Sequence, residues 1–417
     1  MSRAPAPTPT SSADPVAHPD RPAGGQDLPA DHPPPSPSGD ARPAGQAPGR
    51  RWRAGLAVAV TAVALLPAAV ALARHVGRPF TPVGDSALFD LRVHDVWPPG
   101  PLTPLTGAYS RMGWSHPGPL LYWLEAALAA LGGRSPTATL VAQVVLEVLA
   151  VAWTARLAWV TGGLRRVLPW VAVQAVVAAA LGPERLLVVW NPDVATPFFV
   201  LLLLQAWVVA GGAPRRLTGL TVVAVLLVDA HVGYVVPVAA VWTWAVVGLV
   251  RSERRAGNRV LRATTWIPPA VVVGLLVVVP AALDALRRPP GNLVALVDAA
   301  LGRGASGHEA VLGLHGGLAL LAVELRWRPP WLGGPDAAQP FTGAPVGASP
   351  AWLLIGAVIL GAVWWTGRRA GRADLVRLAG LLATASAAGA VTLAAVRGTP
   401  FEYLFYWRVA LGAGVGI

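Results

Sequence analysis

Cysteine is absent from the 417 residues, so neither a disulfide framework nor a thiolate metal site can form, and the redox compartment is not legible. Charge is scarce as well. Asp, Glu, Lys and Arg make up 13% of the chain, about half the roughly 25% usual in soluble domains. Hydrophobic residues reach 54%, and mean hydropathy is +0.54. Too little charge is present to coat a soluble domain, so the chain reads as an integral membrane protein, organised by apolar spans of about 20 residues. No repeat of fixed period is present. The net charge of +12 raises nucleic acid as a partner. The arginines, however, cluster in short loops between apolar runs, which membrane orientation explains without nucleic acid.

Residues 1–49 are rich in Pro, Ala, Gly, Ser and Asp and nearly free of large apolar residues. They cannot offset the entropy of folding and are expected to form a disordered cytoplasmic tail. Arg50, Arg51 and Arg53 then precede the apolar run from Ala54 to Ala73. This flank and run also fit a cleaved signal peptide, but the long tail ahead of them favours an uncleaved anchor.

With the tail inside, the positive-inside rule lays nine full spans near 54–73, 137–160, 167–181, 195–210, 217–234, 235–250, 265–283, 352–366 and 375–396. Arg165, Arg166, Arg215, Arg216 and the loop Arg251 to Arg262 then face the cytoplasm. The run Pro117 to Gly133 becomes a helix on the outer surface, because its crossing would turn every later basic loop outward. The last run, Leu404 to Ile417, is too short for a span and reads as a truncated tenth. The predicted fold is thus an all-α polytopic plasma-membrane domain over 50–417. Amphipathic helices lie on its outer surface after the first span, and its long outer loops are 74–136 and 284–350.

The outer stretch "GDSALFDLRVHDV", Gly84 to Val96, concentrates acids just beyond the first span. As a helix it places Asp85, Leu88, Arg92 and Asp95 on one face and Asp90 and His94 on the other. Such a face could offer a carboxylate base beside a guanidinium that holds phosphate. From spacing alone, a surface helix laced by Arg92–Asp95 and Asp90–His94 pairs is the better reading. In "PLTGAYSRMGWSHPGPLLYW", Pro104 to Trp123, Gly107, Gly113 and Gly118 surround Arg111 and His116. The aromatics Tyr109, Trp114, Tyr122 and Trp123 suit either a sugar face or lipid headgroups.

Further on, "VDAHVGY" sets Asp229, His231 and Tyr234 near an outer span end, where ionisable groups are expensive and commonly face a cavity. A polar pair holding helices together is the alternative. Asn191 and Asp193 in "VWNPDVATP" read as caps for the following helix. Glu125 and Glu147 lie in apolar runs, and Glu125 is assigned no role.

The order of these clusters carries a resemblance. Gly-Asp-x-Ala, then "LR..DV", then "HPGPLLYWL" before an arginine-ended span resembles the C-type (GT-C) superfamily of polytopic glycosyltransferases, which use polyprenyl-phosphate sugars. The resemblance is specific over Gly84 to Arg166 and weaker over "WNPDVATPF", "DAHVGY" and "RRPPGNL". It implies an extracytoplasmic active face and makes Asp85 the catalytic acid that helps deprotonate an acceptor hydroxyl. Arg92, Arg111 and His116, with Tyr109 and Trp114, would hold the donor phosphate and sugar, and Arg185 stands further away. Asp95, Asp229, His231 and Tyr234 are accessory, and Asp90 is a solvated face residue. Many relatives carry two adjacent acids where Ser86 follows Asp85. No cofactor is assigned, and a divalent metal stays open.

Implied partners are a polyprenyl-phosphate-linked sugar, an envelope glycan, lipid or protein acceptor, and membrane lipid. The loop Asp284 to Pro350 is long enough for an acceptor lid. A lipid or sugar flippase would line a path through the bilayer with ionisable groups, whereas the charges gather on one side. An inactive scaffold related to the transferases is the third alternative.

Overall fold

Long apolar runs ending in glycine or arginine predict helices, and helices account for every regular element of the computed structural model among its described residues, 48–75, 78–182, 185, 187–257, 262–303, 309–334 and 347–417. The tail predicted for 1–49 lies outside them, except that Pro48 and Gly49 open the first helix. The order is α1 (Pro48–His75), α2 (Asp85–His94), α3 (Leu120–Leu131), α4 (Pro136–Gly162), α5 (Leu164–Leu181), α6 (Asn191–Ala210), α7 (Leu217–Ala230) and α8 (Val235–Arg255). Then come α9 (Ala263–Val273), a π-helical stretch Gly274–Val278, α10 (Val279–Arg287), α11 (Asn292–Ala300), α12 (Gly313–Ala322), α13 (Leu353–Arg369), α14 (Ala373–Ala394) and α15 (Trp407–Gly416).

Eight helical segments are long and apolar enough to cross a membrane, and the chain is a polytopic helical protein. The predicted span over 217–234 differs. Its helix α7 has 14 residues and stops at Ala230, where His231 takes an extended conformation before a 3-10 turn, Val232–Tyr234. Helix α6 is apolar all round and buried from Asn191 to Phe199 without an exposed face save at Pro197, as expected of a central helix. Helices α4, α5, α7, α8, α14 and α15 pack on it. By contrast, α1, α13 and the α9–α10 segment keep most of their surface outside the bundle.

Contacts between loops define two ends. At one, rich in arginine, Arg166 lies over the Trp207 ring at 4.5 Å, the Trp207 Nε1–H donates to the Asp374 carbonyl, and Ser252 donates to the Ala210 carbonyl. At the other, the loop end, meet the segments 78–119, 187–190, 288–292 and 395–406, with Arg185. The long loop 284–350 contributes two helices of its own. Of these, α12 approaches α14 so closely that a β-carbon at Gly317 would come within 2.6 Å of the Ala394 nitrogen. Helix α15 is seated by a buried charge triad: Arg408 Nε is 2.9 Å from Glu324, and its Nη2 is 3.6 Å from Glu402.

Candidate functional site at the loop end

The stretch Gly107 to His116 folds back on itself. The Gly107 N–H donates to the His116 carbonyl at 2.9 Å, His116 N–H to the Ala108 carbonyl at 2.8 Å, and Ser110 N–H to the Trp114 carbonyl at 2.7 Å. Gly113, at φ +84°, makes the return possible. Asn292 clamps the base by accepting from the Ser115 N–H at 2.7 Å and donating to the Ser115 carbonyl at 2.8 Å. Arg111 is therefore thrust out at the tip. Its Nη2 donates to the Thr399 carbonyl at 3.1 Å, and its guanidinium covers the Phe401 ring at 4.6 Å.

Phe401 stacks on Tyr403 with centroids 5.6 Å apart, and Trp190 packs against Tyr403 at 4.6 Å. Burial raises the pKa of the half-buried Tyr403; Arg111 opposes that shift and Asp85 adds to it, so both charges lie within electrostatic reach of one phenol. Asp85 is exposed at the first turn of α2, after Gly84 at φ +57°. Next along the rim, Arg185 donates to the Tyr406 hydroxyl at 2.7 Å and lies 3.4 Å from Asp193.

Below this rim is a floor of imidazoles. His116 and His231 are buried with ring centroids 4.4 Å apart. His116 Nδ1 accepts from the Val232 N–H at 3.1 Å and His231 Nδ1 from the Gly233 N–H at 3.0 Å. A nitrogen that accepts carries no proton, so both rings sit as neutral tautomers. Burial, with His231 adding to it, holds the His116 pKa well below the ordinary imidazole value. Asp229 is fully buried against the turn before α3, where a β-carbon on Gly118 would collide with its carboxylate and one on Gly107 would come within 2.7 Å of its carbonyl oxygen. Asp229 thus faces "HPGP" and the Leu120 N–H, although neither of its oxygens meets hydrogen-bond geometry.

Of the residues singled out in the sequence, Asp85, Arg111, His116 and His231 gather at this end: two at the rim, two in the floor. Arg92 is spent locally on Asp95 at 2.8 Å and on the Leu102 carbonyl at 3.2 Å. Tyr109 is 74% exposed, Trp114 meets His116 edge-on at 5.5 Å, and Tyr234 is buried beside Phe199.

Two expectations are corrected. Asp90 is buried, not solvated: the apolar pair Phe89 and Val93 turns that side of α2 onto α3, and Asp90 goes with it, 3.3 Å from His94 and facing Glu125. Asn191 and Asp193 are not caps. The α6 N-cap is Trp190, Asn191 donates to the Ala230 carbonyl at 2.6 Å, and Asp193 faces Arg185. The alternative of a polar pair at Asp229 and His231 is not seen: neither oxygen of Asp229 meets hydrogen-bond geometry, and His231 itself is extended.

Sequence reasoning missed the wall formed by Phe401, Tyr403 and Tyr406. Its signal was present, since "RGTPFEYLFYWR" packs five aromatics between arginines, but it reads as the start of an apolar span. Among the described residues no group of three or more His, Asp or Glu is placed to hold a metal ion. Compared with protein-family models, with curated proteins and with solved structures, the chain finds no match in any of the three.

Proposed function

We propose that this protein is a membrane glycosyltransferase that moves a sugar from a polyprenyl-phosphate donor to an acceptor hydroxyl at the loop end, on the extracytoplasmic side. The observation that carries the reading is that Asp85 and Arg111, 26 positions apart in sequence, come to the same end of the bundle, where both charges act on the half-buried Tyr403 and Arg111 lies over Phe401. Attack of a hydroxyl on the sugar anomeric carbon needs a base within hydrogen-bond reach, and the departing lipid phosphate needs a cation. Asp85 is exposed and accepts the acceptor proton. Arg111, at a hairpin tip, holds the phosphate. His116 supports the floor and leaves substrate contact to the rim.

Removal of a positioned base lowers rate by about 10²–10⁴-fold. Asp85→Asn should therefore abolish transfer from radiolabelled polyprenyl-phosphate sugars in membranes while leaving insertion and detergent stability unchanged. Wild-type transfer by that variant refutes the role given to Asp85.

A further inference from the structure

Between α1, α4, α5 and α6 lies a cavity of about 50 Å³, walled by apolar side chains such as Ala64, Ala68, Val151 and Val177. It holds a few water-sized particles and excludes a sugar ring or a lipid headgroup. Glu147 from α4 and Asp193 from α6 line it, each only 4% exposed. Neither oxygen of Glu147 accepts a hydrogen bond, nor does Oδ1 of Asp193.

Among the described residues most nearby donors are committed elsewhere. Gln174 gives its amide N–H groups to Thr154 Oγ1 and the Pro197 carbonyl, at 3.1 and 3.0 Å. Gln143 gives one amide N–H to the Val188 carbonyl and accepts from the Trp190 N–H, and its second N–H is directed to Glu147. Arg185 is shared between Asp193 Oδ2 and the Tyr406 hydroxyl.

One guanidinium thus stands against two buried carboxylates, and Glu125, itself buried with both oxygens unpartnered, faces Glu147 from α3. An unpaired carboxylate in a low-dielectric interior has to be neutralised, either by a proton or by a cation. An amine headgroup is too large for the space. Arg185 already supplies one positive charge against the two carboxylates, so one further positive charge balances the site, which favours a monovalent over a divalent ion.

We propose that Glu147 and Asp193 bind one alkali cation of sodium size in this cavity. The assignment goes beyond the transferase reading and does not rest on it. Protons compete for the same oxygens. The groups that set the competition are Glu125 and Asp193 around Glu147, and Arg185, Glu147, Tyr234 and Tyr406 around Asp193.

The test uses the full chain purified in detergent at constant ionic strength, with sodium or lithium chloride replaced by the N-methylglucamine salt. Radiolabelled sodium should bind saturably, one ion per chain, and be displaced by lithium and by acid. The thermal midpoint should rise with sodium and not with N-methylglucamine. Loss of a ligating carboxylate in Glu147→Gln should weaken sodium binding by at least about tenfold. Should that variant not fold, the wild-type binding and midpoint measurements decide alone. The proposal is overturned by absence of saturable sodium binding, by full binding in a folded Glu147→Gln, or by a midpoint that follows pH yet is the same in both salts, since protons alone would then neutralise the pair.

Discussion

Asp85 and Asp90 stand on one short helix and meet opposite surroundings: the first is exposed beside a tyrosine, the second buried against a glutamate. Spacing ranked them correctly as lying on different faces, but it could not say which face the helix buries. That was settled by Phe89 and Val93, whose burial outweighs the cost of taking one carboxylate along. His116 is the residue whose titration the protein should report. Its folded pKa lies below the unfolded value of about 6.5, so the unfolded chain binds the proton more readily. Stability is then fully present above that value and declines as pH falls below it. His116→Asn keeps an acceptor for the Val232 N–H and removes the titration. Thermal midpoints measured from neutral pH down to about 5 should fall less steeply in this variant, and equal slopes would count against the assignment.

At the scale of elements, the spans were legible because length and hydropathy survive any detail of packing; helix ends were not, because contacts far away in sequence decide them. Helix α7 illustrates the point. Its apolar run continues through Val232, yet the helix ends at Ala230, where the Ala230 carbonyl is taken by Asn191 and His231 turns toward His116. The turn before α3 depends equally on its partner. A methyl group at Gly118 collides with the Asp229 carboxylate, an overpacking that costs about 1–3 kcal/mol. Gly118→Ala should therefore destabilise the protein, and adding Asp229→Ala should recover part of the loss. If the two changes simply add in denaturation measurements, this contact does not govern the turn.

For the whole molecule, the alternation of spans predicted from arginine loops agrees with which loops touch: the hairpin 107–116 meets 395–401, while Arg166, Ala210, Ser252 and Asp374 gather at the opposite end. The aromatic wall 401–406 was hidden because proximity across nearly three hundred residues leaves no local pattern. Lack of native cysteine permits single-cysteine labelling of this arrangement. Leu102→Cys should react with an impermeant maleimide in intact cells. Arg215→Cys and Ala370→Cys should react only after permeabilisation. Labelling of all three from outside would break the proposed topology.

The shortness of α7 carries a consequence for where reactants meet. Fourteen residues reach about 21 Å, against about 30 Å of hydrocarbon. Gln143, which fixes the level of Trp190, is the eighth residue of α4, so about 10 Å of that helix rises past the floor at Asn191 and His231. With Arg215 and Arg216 set at the headgroups, the buried imidazole pair falls within the expected thickness of the bilayer. On the function proposed above, a water-borne acceptor would then meet a lipid-borne sugar at the rim, below the level of the headgroups rather than above it.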